Sequence, residues 1–415
     1  MKKFLKHIYS KESNGEIDVV RFCGIKIKKK KWSDIIKNEN LRTLEYIFNI
    51  MHDFQLQTRL SENKNPKQAI ENAIKSITKT PRYLLADKYA CYLDILLNCS
   101  PIDYKAQFDI DNAYICWGIR PIENHIKTLA FAKNLNRPCL FFEDGFLRSA
   151  DTAANKTAPE KYRKGICFTV DDLTTYFDAT RPSRMEQMLN DKDLIISEEE
   201  KQRARNCIDK IVETHLTKYN HQPIMTPEIG RKGAKKVLVV DQSYGDMSII
   251  RGLADESTFE NMLETAIREN PDADIIVKTH PDTMAGKRGG YYTHLEEKGN
   301  IYLQRTPINP ISLIKYVDKV YVCSTQFGFE ALMCEKEVHT FGMPFYAGWG
   351  LTIDAQTCSR RTNRRSLEEI FYIAYILYSH YVNPTTNKCC EIEEAMDYLL
   401  ELRAEYNKFK EANNG

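Results

Sequence analysis

An apolar run, Val237-Leu238-Val239-Val240, breaks at Asp241-Gln242-Ser243-Tyr244-Gly245-Asp246. A second run, Asp274-Ile275-Ile276-Val277, breaks at Lys278-Thr279-His280-Pro281-Asp282, and a stretch of helical character lies between the two. A short apolar run that stops at glycine and polar residues reads as a buried strand delivering a loop. Two such strands around one helix make a strand–helix–strand unit. Their loops then leave the same edge of a parallel sheet, where α/β proteins place ligands. Residues 237–281 therefore set the class as α/β and bring Asp246 and His280 to one crevice.

The same logic recurs upstream. Ala113–Gly118 reads as a strand, Glu123–Leu135 as a helix, and Pro138–Phe142 as a strand ending at Glu143-Asp144-Gly145. Ile166–Val170 reads as a third strand, and Ser183 with Glu186 as the start of a helix. Residues 217–235 carry Asn220, Pro223, Pro227, Gly230 and Gly233, a linker composition. The expected organisation is a tail and helical segment over 1–104, one Rossmann-like domain over 105–235 and a second over 236–365. C-terminal helices over 366–415 pack back on the domains, with Ser366 and Glu369 opening the first of them.

A formal net charge of +2 gives no electrostatic case for nucleic acid. No apolar run is long enough for a transmembrane helix, and the basic N-terminus lacks the apolar core of a secretory signal. The twelve cysteines form no CxxC pair, as expected of free thiols in a reducing cytoplasm. The run Lys28-Lys29-Lys30-Lys31 reads as a solvated basic tail, with contact to anionic lipid headgroups as the alternative. No dense ligand cluster points to a metal.

Several residues stand where chemistry is done. Asp246 follows Gly245, which frees the backbone for a tight turn; it is a candidate nucleophile or base, or simply a helix N-cap. His280, held by Pro281 and alternating with Lys278, can bind a phosphate, or be structural. Ser324-Thr325-Gln326-Phe327-Gly328 before a helix resembles an anion cradle but is not a P-loop. Glu330 could bind a ribose diol or favour the helix dipole. Glu143 and Asp144 could divide acid and base roles, or form a loop salt bridge with Arg148. Arg120 could hold a sugar carboxylate, or be a surface arginine. The segment Gly342–Gly350 is aromatic and glycine-rich, suited to walling a sugar site or to packing between domains.

The tandem of Glu143–Ser149, Asp178–Ser183, Gln242–Asp246, Lys278–Asp282, Ser324–Leu332 and Gly342–Thr352 resembles the capsule polysaccharide biosynthesis proteins of Gram-negative bacteria. The resemblance spans roughly residues 110–390. It implies a GT-B-like fold and a retaining β-Kdo transferase module that uses CMP-Kdo and needs no metal. It implies an acceptor made of Kdo-primed phosphatidylglycerol, and work at the inner face of the cytoplasmic membrane with other capsule assembly proteins. By the same resemblance His280 and Pro281 meet the nucleotide phosphate, Asp246 is the nucleophile, and Glu143 or Asp144 is the acceptor base. Another nucleotide sugar, or a non-catalytic assembly or export role, are the alternative readings.

Overall fold

The computed structural model describes residues 9–13, 17–22, 25–30, 35–62, 65–78, 82–85, 92, 95, 100–102, 113–121, 123–134, 139–279 and 289–413. Strands β1 (Tyr9–Ser13), β2 (Ile17–Phe22) and β3 (Ile25–Lys30) form a small antiparallel sheet. Helices α1 (Ile35–Glu62) and α2 (Pro66–Thr78) follow. The first large sheet contains β4 (Arg82–Leu85), β5 (Ser100–Ile102), β6 (Ala113–Trp117), β7 (Cys139–Asp144) and β8 (Cys167–Asp171). Helix α3 (Glu123–Asn134) links β6 to β7. Strands β4 to β7 pair in parallel, whereas β8 runs antiparallel to β7.

Helix α4 (Arg184–Asn190) starts at Ser183, whose side chain accepts the Glu186 N–H. Helix α5 (Glu198–Thr214) starts with a capping box between Ser197 and Glu200 and ends at His215 in the left-handed region. The chain then crosses to the second sheet.

That sheet is wholly parallel. It is built from β9 (Lys236–Val240), β10 (Asp274–Lys278), β11 (Ile301–Gln304), β12 (Lys319–Val322), β13 (Glu337–Thr340) and β14 (Ile353–Asp354). Its order, β11-β10-β9-β12-β13-β14, is the doubly wound Rossmann order. Every residue of β9 and β10 is buried, as an unbroken apolar run covered on both faces requires. Its helices are α6 (Met247–Ile250), α7 (Glu256–Glu269), α8 (Pro310–Tyr316) and α9 (Phe327–Met333).

Helix α10 (Leu367–Phe371), capped by Ser366 and Glu369, runs into a π-helical turn, Tyr372–Leu377. The expectation of a largely helical segment after residue 366 needs one correction, two added strands. Strands β15 (Ser379–Asn383) and β16 (Lys388–Cys390) extend the first sheet beyond β8 before the last helix, α11 (Ile392–Asn413). A second correction concerns the helical segment expected within residues 1–104. Residues 82–85 are instead strand β4 of the first sheet, so that domain begins before residue 105.

The halves share one apolar core that includes Trp117, Phe142, Phe168, Val240, Val322, Phe329 and Tyr375. At its centre the Phe146 ring stacks on Tyr375 at 4.5 Å and meets Phe345 and Tyr176 at 4.9 Å each. Tyr346 and Trp349 are fully buried there, so the loop after β13 serves as packing across the join. Arg360 and Arg361 both donate to buried Glu186 of α4, and Arg361 also donates to the Ala347 carbonyl at 2.7 Å.

Candidate active site

In the second half, β9 and β12 are neighbours whose chains leave in opposite directions, which opens a crevice at their C-terminal ends. Gln242 spans it. Its Nε2 donates to Ser324 Oγ at 3.3 Å, and its Oε1 accepts the Ser324 N–H at 2.9 Å. The same Nε2 lies 3.5 Å from Ser248 Oγ in α6. One residue upstream, Asp241 accepts N–H groups from Gln242, Tyr291 and Tyr292. Burial nevertheless pushes its carboxyl up to about 6. Tyr244 N donates to the Gly289 carbonyl at 2.7 Å. The segment after β10 therefore returns to the loop that carries Asp246.

Gly245 has φ +75°, open to glycine at little cost, and turns the chain into Asp246. Asp246 caps α6, its Oδ1 accepting the Ser248 N–H at 2.9 Å, and remains partly exposed. Lys278, at the end of β10, is 6% exposed, and burial lowers its ammonium to about 8. A buried cation without a compensating carboxylate among the described residues is suited to an anionic ligand. Ser324 and the half-buried Thr325 line the adjacent loop; Thr325 Oγ accepts the Phe327 N–H at 3.3 Å.

In the first half, Glu143 and Asp144 end β7 with separate fates. Asp144 forms a buried pair with Arg148, Oδ1 to Nε 2.7 Å. Arg148 in turn donates to Ser149 Oγ and to the Arg163 carbonyl. Glu143 is half-buried, its Oε1 accepting the Asp144 N–H at 2.9 Å. Gly118, at φ +68°, leaves room for it: a Cβ there would sit 3.1 Å from Glu143 Oε2. Arg120 lies half-buried in that same loop, its N–H directed to His125 Nδ1. Burial raises the Glu143 carboxyl to about 7, and the negative charges of Asp144 and of Asp246 add to the effect. The charge of Asp246, from the other half, is thus felt at Glu143.

Lys218 is a further charged neighbour of Glu143. Burial alone would lower its ammonium, but Tyr176, Tyr219, Asp144 and Glu143 outweigh that and hold it above the ordinary lysine range. Its carbonyl accepts the N–H groups of Arg148 and Ser149 at 3.2 and 3.3 Å. Glu330 of α9 is 4% exposed, with a carboxyl raised to about 7 by burial against the opposing pull of the Lys218 main chain and ammonium. Gln326 completes the join, donating from Nε2 to the Phe146 carbonyl at 2.9 Å.

A family model described as capsule polysaccharide biosynthesis protein matches residues 112–232 and 224–385. The chain belongs to that family. The capsule polysaccharide modification protein LipA of Neisseria meningitidis serogroup B is 42% identical over 309 residues, which is 72% of this chain and 42% of LipA. The lipopolysaccharide-processing protein LpsZ of Rhizobium meliloti is 34% identical over 285 residues, 68% of this chain and 63% of LpsZ. This chain thus spans less than half the length of LipA. Among solved structures, the β Kdo 2,4 transferase of Thermosulfurimonas dismutans KpsC superposes with a TM-score of 0.68 at 36% identity, over 74% of this chain and 93% of that one. The β Kdo 2,7 transferase of the same KpsC, at 23% identity and TM-score 0.55, shares the fold.

For this capsule polysaccharide biosynthesis protein the architecture is accordingly GT-B-like. Asp246, Gly245, Lys278, Ser324 and Thr325 lie on the loops or strand ends at the C-terminal side of the second sheet, and Glu143 ends β7 of the first half. Asp144 is committed to Arg148, and Glu330 is turned inward toward Lys218 and Gln326. His280 and Pro281 lie outside the described residues. Sequence reasoning passed over Lys218 and Gln242. Lys218 sits in a stretch with linker composition, and Gln242 inside a recognised segment whose aspartate drew the attention. A glutamine directly after a buried strand-end aspartate was the available signal for the latter. Asp171 and Asp172 lie at the opposite edge, because β8 is antiparallel to β7. There Asp171 accepts the Leu173 and Arg184 N–H groups and the Tyr378 hydroxyl, and Asp172 pairs with Arg184. Among the described residues no His, Cys, Asp and Glu cluster could hold a metal, and no helix is long and apolar enough to cross a membrane.

Proposed function

We propose that this chain is a retaining β-Kdo transferase that moves Kdo from CMP-Kdo to a Kdo-primed phosphatidylglycerol acceptor during capsule biosynthesis. The observation that carries the reading is the crevice at the ends of β9, β10 and β12, where Asp246 opens α6, Ser324 is tied to Gln242, and Lys278 is a buried cation. Likeness to the KpsC β Kdo 2,4 transferase supports it.

In this reading CMP lies in the second half, its phosphate met by Lys278, His280, Ser324 and Thr325, with Pro281 fixing the loop. Asp246 attacks the anomeric carbon opposite CMP. The bond to the phosphate oxygen breaks, and CMP leaves with the electron pair, its charge stabilised by those cations and hydroxyls. The N-cap uses Asp246 Oδ1, and Oδ2 is the attacking oxygen. Glu143 then takes the proton of the acceptor hydroxyl, which displaces Asp246 from the sugar. Two inversions give net retention. A carboxyl near 7 suits a base that works at neutral pH. Arg120, in the loop beside Glu143, is placed for the acceptor's sugar carboxylate. The lipid-linked acceptor places the reaction at the inner face of the cytoplasmic membrane, alongside other capsule assembly proteins.

The test is a titration with CMP, UDP and GDP, followed by incubation with CMP-Kdo and a Kdo-primed lipid analogue. Selective CMP binding and transfer with retained configuration are expected. Selective UDP or GDP binding with no Kdo transfer would overturn the reading.

A further inference from the structure

Helix α6 is a single turn, Met247–Ile250, with Asp246 at its N-cap and Arg251 at its C-cap. One turn makes too few internal hydrogen bonds to hold a direction by itself. Its far end is held from outside. The Arg251 carbonyl accepts the Ala179 N–H of the first half at 2.8 Å, and the Gly252 carbonyl accepts the Met343 N–H at 2.7 Å. Ala179 lies in Asp178–Ser183, one of the segments that carry the family resemblance. Asp178 fixes that segment by accepting the Thr174 hydroxyl at 2.7 Å and the Thr180 N–H at 3.0 Å. The Arg251 side chain, 5% exposed, reaches α1. Both of its terminal nitrogens lie 3.5 Å from Asn49 Oδ1, Glu45 stands 3.9 Å away, and the guanidinium lies over the Phe48 ring at 5.9 Å. The same Asn49 oxygen accepts from Arg181 of the first half at 3.3 Å, and Arg181 Nε donates to Asp53 at 2.8 Å. Helix α1 is fixed to the first half in turn. Gln55 donates to the Cys139 and Asp172 carbonyls at 2.6 and 3.0 Å, and His52 Nε2 lies 2.6 Å from the Leu173 carbonyl oxygen.

We propose that Arg251 is a positioning residue for the transfer: clasped by Asn49 of α1 and by Ala179, it sets α6, and Asp246 with it, against the first half. A nucleophile works only within a narrow range of distance and angle, and a misplacement of about 1 Å can cost a hundredfold. Lys278, Ser324 and Thr325 stand at the ends of other strands, so the clasp bears on the place of Asp246 rather than on the nucleotide. The inference rests on the glycosyl-transfer reading, in which Asp246 is the nucleophile.

The experiment is steady-state kinetics with CMP-Kdo and the Kdo-primed acceptor, beside CMP binding and a melting curve. It compares wild type, Arg251→Met, Asn49→Leu, Asn49→Asp and the double variant Asn49→Leu with Arg251→Met. Arg251→Met and Asn49→Leu should each lower kcat about tenfold to a hundredfold while the Kd for CMP stays within about twofold. Asn49→Asp, which keeps the shared acceptor, should retain at least about half of the wild-type kcat. The double variant should fall little below the weaker single variant, because both substitutions break one clasp. A merely structural arginine would lower the melting temperature and leave kcat per folded molecule unchanged. That outcome, loss of CMP affinity in step with kcat, or losses that multiply in the double variant overturns the proposal. If Arg251→Met does not fold, Asn49→Leu against Asn49→Asp decides it. Absence of transfer by the wild type would instead count against the transferase reading itself.

Discussion

Gln242 and Ser324 hold each other by both ends: the side-chain carbonyl accepts the serine N–H at 2.9 Å, and the amide donates to the serine hydroxyl at 3.3 Å. The pair ties the loop after the first strand of the parallel sheet to the loop after the fourth. Gln242→Ala should leave a buried N–H without its partner, a cost of about 1–3 kcal/mol. The expected kinetic result is a higher KM for the nucleotide sugar and a lower kcat, since the two loops no longer share one geometry. Steady-state kinetics with a denaturation curve on the same protein checks both.

Asp246 caps a helix and is the proposed nucleophile, and the two roles can be separated. Asparagine is as good an N-cap as aspartate but is no nucleophile. Asp246→Asn should therefore keep wild-type stability and lose at least about a thousandfold in turnover, whereas Asp246→Ala should lose activity and about 1 kcal/mol besides. Full activity in Asp246→Asn would reduce the residue to its cap.

The parts of this molecule that were legible in its sequence are those set by local pattern. The runs Val237–Val240 and Asp274–Val277 are continuous because parallel strands are covered on both faces. The caps at Ser183 and Ser366 follow from short-range hydrogen bonds. Strand direction is not local. The antiparallel course of β8 sends Asp171 away from the cleft, and β15 earns its place only by pairing with that strand. Lys218 was hidden for the same reason: its main-chain partners, Arg148 with Ser149 and Glu330, lie far away in sequence on opposite sides of it.

Glu330 gives a signed test of stability against pH. Its carboxyl is raised from an ordinary 4.5 to about 7 by burial. Below 4.5 folded and unfolded chains both hold the proton, so Glu330→Gln should match wild type. Between the two values the unfolded chain releases its proton first, and wild-type stability falls as pH rises. Above 7 the loss is complete, and Glu330→Gln should be the more stable protein by on the order of 3 kcal/mol. Denaturant melts at pH 4.5, 6 and 8 would show it.

Gly145 follows the acidic pair where β7 ends. A Cβ at that position would lie 2.0 Å from Cys167 Sγ and 3.1 Å from the Cys167 main-chain carbon. Backbone so close cannot yield cheaply. Gly145→Ala should cost at least about 1–3 kcal/mol and displace Glu143, lowering transfer with it. Thermal unfolding beside activity at a permissive temperature checks the prediction.

The reading stands on Glu143 and Asp246 acting on one sugar held between them. Its most direct test is a single assay of CMP release and Kdo-product formation from CMP-Kdo and the primed acceptor, run on wild type, Glu143→Gln and Asp246→Asn, with CMP binding measured on each. The expected result is coupled release and product from wild type, neither from Asp246→Asn, product loss of about a hundredfold or more in Glu143→Gln, and CMP binding in all three. Wild-type rates in both variants would contradict it.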